Sequence, residues 1–197
     1  MYMFQSVIED IKKLLPSYKT QKQKKDLRAH LLQKRRLLTA DVVATCSDEV
    51  VTQLLGNPAY QQAKTVMFYY PANNEINLLR LAEINPDKQF LLPVTHRHSI
   101  EVRPFVGKDN LKREKFGIPE PQTPTFRGNI DLLLVPGVGY DKQLYRLGRG
   151  GGYYDRFISS LKKARKIGIG YRFQLVEHIP HNHHDKKMDE IILSQTY

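Results

Sequence analysis

Residues 132–155 decide the fold of this 197-residue chain and read Leu-Leu-Leu-Val-Pro-Gly-Val-Gly-Tyr-Asp-Lys-Gln-Leu-Tyr-Arg-Leu-Gly-Arg-Gly-Gly-Gly-Tyr-Tyr-Asp. The apolar run at 132–135 ends at Pro136-Gly137, and a loop then leads to a glycine-rich segment, residues 148–152. A short apolar run that ends in Pro-Gly is typical of a buried strand followed by a turn. Residues 153–161 have a helical pattern, so the stretch is predicted to be strand, loop and helix.

The glycine loop, as we call residues 148–152, contains glycine at four of its five positions. Glycine allows positive φ and close approach of the backbone to a ligand. Free N–H groups at the start of a helix form an anion site, and guanidinium groups suit phosphate oxygens. Arg146, Arg149 and Arg156 supply such groups here. We therefore predict a cradle for the phosphates of a nucleotide.

The glycine loop matches neither of two common phosphate-binding motifs. A Walker A loop needs Gly, four residues and then Gly-Lys-Ser/Thr, and this string does not occur in the sequence. The dinucleotide fingerprint fails because Tyr153 stands where its third glycine belongs. A flexible linker between strand and helix is the alternative interpretation. The interleaved arginines and the Tyr-Tyr-Asp ending favour a ligand site.

Length and composition are those of an ordinary globular protein with one core. Hydrophobic residues make up 41% of the chain and charged residues 26%. No apolar run is long enough to span a membrane, and the first residues lack the pattern of a signal peptide. Cys46 is the only cysteine, so no internal disulfide can form, and we expect a small core residue in a cytoplasmic protein.

Positive charge is concentrated near the beginning of the chain. Residues 12–36 contain ten Lys and Arg and one acidic residue, Asp26, so they carry nine of the eleven net positive charges. Such a segment could bind nucleic acid. It could equally be a solvated helix whose few inward side chains bind a phosphate ligand. Composition alone leaves both possibilities open.

Hydrophobic periodicity predicts alternating helices and strands, and hence one α/β domain with a mostly parallel sheet flanked by helices. Ligands of such sheets bind beyond the carboxyl ends of the strands, which here are the loops after Tyr70, Leu92 and Val135. The predicted helices cover residues 6–15, 20–38, 41–55 (with Asp41 as N-cap), 76–82 and 153–161; the predicted strands cover 65–70, 89–92, 100–105, 131–135, 166–170 and 191–193, with a stiff loop at 115–121.

Two motifs together resemble a known family. Lys-Phe-Gly-Ile-Pro-Glu-Pro at 115–121, followed by Leu-Gly-Arg-Gly-Gly-Gly-Tyr-Tyr-Asp-Arg at 147–156, is similar to the 5-formyltetrahydrofolate cyclo-ligases, or methenyltetrahydrofolate synthetases. The resemblance extends from about Lys24 to Ile192. It implies a fold like those of ribose-phosphate isomerase and CoA transferase, with an N-terminal extension at 1–21 and a single cyclo-ligase domain at 22–197.

The resemblance also implies an activity. ATP would phosphorylate the formyl oxygen of 5-formyltetrahydrofolate, and N10 would displace phosphate from the resulting iminophosphate to give 5,10-methenyltetrahydrofolate. Such chemistry needs two positioned ligands and neutralised phosphate charge rather than a protein nucleophile. A basic nucleic-acid-binding protein, or a kinase acting on another small acceptor, are the alternatives.

Site residues follow from the same resemblance, position by position. Arg149 and Tyr153 are expected to be catalytic. Asp155 and Asp189 are expected to bind Mg²⁺, a cation that prefers oxygen ligands. The expected ATP contacts are Lys24, Arg28, Arg146, Leu147, Gly148, Arg149, Gly150, Gly151, Gly152, Tyr153 and Tyr154. The expected folate contacts are Tyr70, Glu75, Arg149, Gly150, Gly151, Gly152 and Tyr153.

A histidine cluster at His178, His181, His183 and His184 could suggest a transition-metal site. Pro180 interrupts the cluster and no cysteine is near, so an incidental polar loop is the interpretation we favour. We expect a monomer that binds 5-formyltetrahydrofolate, ATP and Mg²⁺, with no membrane and no nucleic-acid partner.

Overall fold

The computed structural model describes residues 16–96, 99–113, 117–161 and 163–197 and is built on a parallel sheet. Its strands are β1 Thr65–Met67, β2 Gln89–Thr95, β3 Ile100–Pro104, β4 Leu111–Arg113, β5 Pro119–Pro121, β6 Leu132–Pro136, β7 Gly139–Asp141, β8 Arg146–Leu147, β9 Arg165–Gly170, β10 Leu175–Val176 and β11 Glu190–Leu193. Its α-helices are α1 Pro16–Arg36, α2 Ala40–Leu55, α3 Pro58–Gln62, α4 Arg80–Ile84 and α5 Tyr153–Ser160, with 3₁₀ turns at Lys108–Asn110 and Arg172–Gln174.

Six strands form the main sheet in the order β11-β9-β6-β1-β2-β3. Every pair is parallel except β2–β3, which is antiparallel at the edge. A parallel central strand is covered on both faces and therefore reads as a continuous apolar run, as β6 does. This confirms the prediction of one α/β domain with a mostly parallel sheet.

Helices cover both faces of β6. Leu132 and Leu134 pack in one core cluster that includes residues of α2. Leu133 and Val135 pack in the other, which contains Ile158 of α5. Successive residues of a strand point to opposite faces, so two of the four residues at 132–135 pack against each of the two core clusters. The alternation places α2 against one face of the sheet and α5 against the other.

Helix α1 lies against a second, small sheet of order β10-β7-β8. Leu31 packs with Val138, Leu147 and Ile179 in a third cluster. Residues three and four apart share a helix face, so the face that carries Leu31 also carries cations, at Lys24, Arg28 and Arg35. The other basic residues that the structure describes along this helix are exposed.

Some element boundaries differ from the prediction. Thr39, not Asp41, is the N-cap of α2, because its hydroxyl accepts from the Val42 N–H at 3.4 Å. The helix predicted over 76–82 is α4, which starts only at Arg80, and residues 119–121 of the predicted loop are a strand paired with β4. The predicted helix at 6–15 lies outside the described residues, and the expected boundary between 21 and 22 falls inside α1. None of the described helices is both long and apolar enough to cross a membrane.

Candidate active site

A cleft of about 640 Å³ opens at the carboxyl ends of β1, β2 and β6. Its walls are α1, the segment after β1, the end of β2, the middle of β5, the glycine loop, and the first residues of α5. This is where an open α/β sheet binds its ligands. Every site residue expected from the sequence lines the cleft except Asp189, namely Lys24, Arg28, Tyr70, Glu75, Arg146, Leu147, Gly148, Arg149, Gly150, Gly151, Gly152, Tyr153, Tyr154 and Asp155.

The backbone of the glycine loop requires glycine at two positions. Gly150 has φ +103° and Gly152 has φ +66°, both in the left-handed region that side chains with a Cβ rarely adopt. Gly152 is also the N-cap of α5. Because glycine has no side chain, the first turn of α5 faces the cleft directly. The N–H groups of this turn and the helix dipole make an anion site. A phosphate group fits this geometry.

Arg146 is a buried cation at the floor of the cleft. Its side chain is 4% exposed and its Nη2 lies 3.1 Å from Oδ2 of Asp155. The guanidinium lies 5.4 Å from the ring centre of Tyr154, whose phenol pKa burial raises. The Nε of Arg146 has no acceptor within the described chain. Burying a donor without a partner is costly, so Arg146 is held in place by its other contacts rather than by solvation.

Helix α1 contributes two more cations to the same end of the cleft. Lys24 Nζ lies 2.6 Å from a carboxylate oxygen of Asp185. Arg28 Nε donates to the backbone oxygen of Gly148 at 2.8 Å, which ties α1 to the glycine loop. Burial lowers the pKa of Arg28, but arginine remains protonated in proteins because its ordinary pKa is so high. The end of the cleft at the glycine loop is therefore lined by fixed positive charges, and we call it the phosphate end.

Glu75 links the phosphate end to the segment after β1. Its Oε1 lies 2.7 Å from Arg149 Nη2 and 3.6 Å from Arg35 Nη2, and its Oε2 accepts from the Ala72 N–H at 3.1 Å. Arg35 is 2% exposed, and burial lowers the pKa of its guanidinium. Arg149 is 48% exposed, so it is the partner of Glu75 that can move to a ligand.

The acidic residues of the phosphate end are Asp155 and Asp185, not Asp155 and Asp189. The backbone N–H of Lys186, next to Asp185, donates to Asp155 Oδ1 at 3.3 Å, which brings the two segments together. Asp189 instead accepts from the Lys166 N–H at 2.8 Å and pairs with the Lys166 ammonium at 3.0 Å. It immediately precedes β11, so it lies at the amino end of the parallel strands, whereas the cleft is at their carboxyl ends. The structure thus does not bring Asp189 to Asp155.

The other end of the cleft is mostly apolar and lies over β2 and β3. Pro93, Ile100 and Ile118 line it, together with Tyr70. A planar ring fits between such side chains, and an aromatic wall favours stacking. We call this the apolar end.

The histidine cluster lies outside the cleft-lining residues. His181 stacks on Tyr145 with ring centres 3.6 Å apart, and His183 contacts His184. Across residues 16–96, 99–113, 117–161 and 163–197, no three His, Cys, Asp or Glu side chains are grouped so that they could hold a metal ion.

Comparison with known proteins identifies the family. The model of the 5-formyltetrahydrofolate cyclo-ligase family matches residues 20–194, which is most of the chain. The chain belongs to this family. The matched range includes α1 from residue 20 onward, the glycine loop and every residue that lines the cleft.

Cyclo-ligases from distant organisms match over nearly their full length. The 5-formyltetrahydrofolate cyclo-ligase of Haemophilus influenzae is 30% identical over 88% of this chain and 98% of its own length. The mouse cyclo-ligase is 24% identical over 86% of this chain and 92% of its own length.

Solved structures of the family have the same fold. The structure of 5,10-methenyltetrahydrofolate synthetase from Aquifex aeolicus gives a TM-score of 0.77 at 31% identity and covers 88% of this chain and 90% of its own. The synthetase from Mycoplasma pneumoniae gives 0.70 at 28% identity, over 86% of this chain and 97% of its own.

Proposed function

We propose that this cyclo-ligase converts 5-formyltetrahydrofolate and ATP to 5,10-methenyltetrahydrofolate, ADP and phosphate. The observation that carries the proposal is a single cleft with two chemically different ends. The phosphate end offers the glycine loop with Lys24, Arg28 and Arg146, and the apolar end offers space for a ring system. Membership of the cyclo-ligase family supports this choice of substrate.

The reaction proceeds in two steps whose atoms balance. The formyl oxygen attacks the γ-phosphorus of ATP, the bond from this phosphorus to the β,γ-bridging oxygen breaks, and ADP leaves. N10 of the folate then attacks the formyl carbon, its proton passes to solvent, and the carbon–oxygen bond to phosphate breaks. Because phosphoryl transfer depends on positioning and charge stabilisation, the protein needs no covalent nucleophile.

The phosphate end binds the triphosphate through backbone N–H groups and guanidinium groups. Gly150 and Gly152 place the backbone against the phosphates, while Lys24 and Arg28 reach them from α1. Arg146 holds the floor of the site. Leu147, Gly148, Gly151 and Tyr154 complete this wall. Donors fixed before the reaction stabilise charge as it develops, at no cost in reorganisation.

Arg149 exchanges partners in the course of binding. In the structure it is held by Glu75 at 2.7 Å, and a transferring phosphoryl group would compete for it with two or three charged oxygens. Glu75 does not lose all its partners in this exchange, because Arg35 and the Ala72 N–H remain beside it. We assign Arg149 to the phosphoryl group and Glu75, Tyr70 and Tyr153 to the folate.

Mg²⁺ fits the carboxylates of the phosphate end. Asp155 and Asp185 both line the cleft there, and Mg²⁺ is commonly bound by one or two carboxylates together with substrate phosphates. When bound, the ion would supply neutralisation of phosphate charge. We propose Asp155 and Asp185 as its protein ligands and leave Asp189 out of the site, because Asp189 does not line the cleft and lies at the opposite, amino end of the parallel strands.

The deciding experiment follows the absorbance of the methenyl product. Purified protein is mixed with 5-formyltetrahydrofolate, ATP and Mg²⁺, and each component is omitted in turn. Product that forms only with all three present supports the proposal. Product without ATP would contradict the phosphorylation step, and no product despite ATP binding would point to another phosphoryl acceptor.

A further inference from the structure

Among the described residues that line the cleft, Glu120 is the acidic residue of the apolar end. It is the middle residue of β5, it lines the cleft together with Pro93, Ile100 and Ile118, and it is half-buried. Its described contact is a long hydrogen bond, in which Oε1 accepts from the Thr95 N–H at 3.4 Å. A carboxylate can accept about four hydrogen bonds, so Glu120 can accept further hydrogen bonds from a ligand.

The other acidic residues that line the cleft all have a cationic partner. Glu75 pairs with Arg149, Asp155 with Arg146, and Asp185 with Lys24. Within the described residues, no lysine, arginine or histidine pairs with Glu120. Lys112 stands opposite Glu120 in the β4–β5 pair, but the two side chains form no described ion pair. A half-buried carboxylate without an ion-pair partner is costly unless donors satisfy it. Glu120 thus lacks the partner that each other cleft carboxylate has.

The charge of Glu120 restricts what can bind beside it. It repels phosphates and carboxylates, so neither the triphosphate nor an acidic tail would occupy this end. The ligand must be planar enough for the apolar walls and must present N–H donors to the two carboxylate oxygens. Two parallel N–H groups on one ring edge satisfy a carboxylate best, because the pair is bidentate.

We propose that Glu120 binds the 2-amino and N3–H donors of the folate pyrimidine ring and so selects a 2-amino-4-oxopterin; this rests on the proposed function. Neighbouring strands lie about 4.8 Å apart, and β1 lies between β6 and β2, so β2 is roughly 10 Å from β6. That distance accommodates a two-ring pterin between the phosphate end and Glu120. Glu120 therefore orients the ring with its formyl-bearing side toward the phosphates.

Glu120→Gln tests the assignment with little change of shape. Its amide oxygen can still accept from the Thr95 N–H, but its amide group then meets the pterin donors with a donor. A hydrogen bond to a charged group accounts for about a 10- to 100-fold difference in affinity. We expect KM for 5-formyltetrahydrofolate to rise by about this factor, with KM for ATP unchanged and the melting temperature equal to or above that of the wild type, because the substitution removes an unpaired charge.

Glu101→Gln is the matched control. It removes the same charge from the adjacent strand β3, where Glu101 bonds Arg103 and Thr125 and does not line the cleft. Its KM for 5-formyltetrahydrofolate should equal that of the wild type. An unchanged KM in Glu120→Gln, or an equal rise in both variants, would overturn the inference while leaving the proposed function intact.

A substrate analogue identifies the ring edge. In 2-desamino-2-methyl-5-formyltetrahydrofolate, a methyl group replaces the amino donor. The wild type should bind it about 10-fold more weakly than the natural folate, whereas Glu120→Ala should bind the two equally. If Glu120→Ala instead binds the analogue about 10-fold more weakly than the natural folate, the affinity losses from the substitution and from the analogue are independent, and Glu120 does not contact this edge. Calorimetric binding without ATP gives the same comparison even if no turnover occurs, so a failed reaction and a failed inference remain distinguishable.

Discussion

Replacing Arg149 with alanine separates catalysis from stability in this cleft. The side chain is 48% exposed, and its described ionic contact is the pair with Glu75. A pair of this exposure contributes about 1 kcal/mol or less to folding. Glu75 retains the Ala72 N–H and Arg35 after the substitution, so no carboxylate is left unpartnered. The free energy of unfolding should fall by no more than about 1 kcal/mol.

The effect on turnover should be far larger. A positioned donor to transition-state charge contributes roughly 10²- to 10³-fold to kcat, and an arginine on a transferring phosphoryl group can contribute more. We therefore expect kcat for the methenyl product to fall at least about 100-fold at saturating ATP and Mg²⁺. Product absorbance gives the rate, and urea unfolding gives the stability.

Arg165→Ala is the control for this experiment. Arg165 is 51% exposed and pairs with Glu190 at 3.1 Å, but it lies at the start of β9, away from the cleft. It should lose as little stability as Arg149→Ala and retain full turnover. Near-normal kcat in Arg149→Ala, or equal loss in both variants, would refute the assignment of Arg149 to the phosphoryl group.

Three further predictions concern the metal, the core and alkaline pH. Asp155→Asn and Asp185→Asn should each raise the Mg²⁺ concentration needed for half-maximal turnover, whereas Asp189→Asn should not; a magnesium titration that ranks them otherwise contradicts the ligand assignment. Leu133→Ala should lower the free energy of unfolding by about 2–5 kcal/mol because the side chain is fully buried between sheet and helix, which urea denaturation measures. Burial raises the pKa of Tyr60 to about 12, and its hydroxyl has no hydrogen-bond partner in the described chain. The folded state thus holds the Tyr60 proton more tightly than the unfolded state. The stability that this proton contributes is complete below about pH 10 and declines as the pH rises toward 12. Tyr60→Phe should unfold at no lower urea concentration than the wild type at pH 8, and it should lose less stability than the wild type between pH 9 and pH 11.

The central part of the fold could be predicted because its signals are local. The apolar run of β6 and the glycine loop before α5 can each be recognised from a few consecutive residues. The small sheet could not be predicted in this way, since β8 and β10 have two residues each and β7 has three. Such strands are too short for a period-2 pattern, and their pairing with one another and packing against α1 decide them.

Most residues that line the cleft could be predicted from the sequence, but not all the contacts that their side chains make. Arg35 reads as part of a solvated Lys-Arg-Arg run, yet it is 2% exposed. Arg35 follows Leu31 by four residues, so helical spacing places both on the inward face. The neighbouring basic residues made this spacing easy to overlook. The resemblance favoured Asp189 as a metal ligand, whereas the structure places Asp185 at the cleft and Asp189 at the other end of the sheet. A residue that immediately precedes a parallel strand lies at the edge of the sheet opposite the ligand site.

Helix α1 is a mostly polar and exposed helix that also forms part of the ligand site. It contacts the body of the protein through a narrow apolar stripe around Leu31. On the same face Lys24 binds the Asp185 carboxylate, and Arg28 donates to the Gly148 carbonyl. Segments with few apolar contacts open locally at a lower free energy than the whole domain. A ligand held by Lys24 and Arg28 raises that opening free energy by about 2.7 kcal/mol at 100 times its dissociation constant. Ligand binding in the cleft and local opening of α1 are thus thermodynamically linked, so a bound ligand keeps α1 ordered.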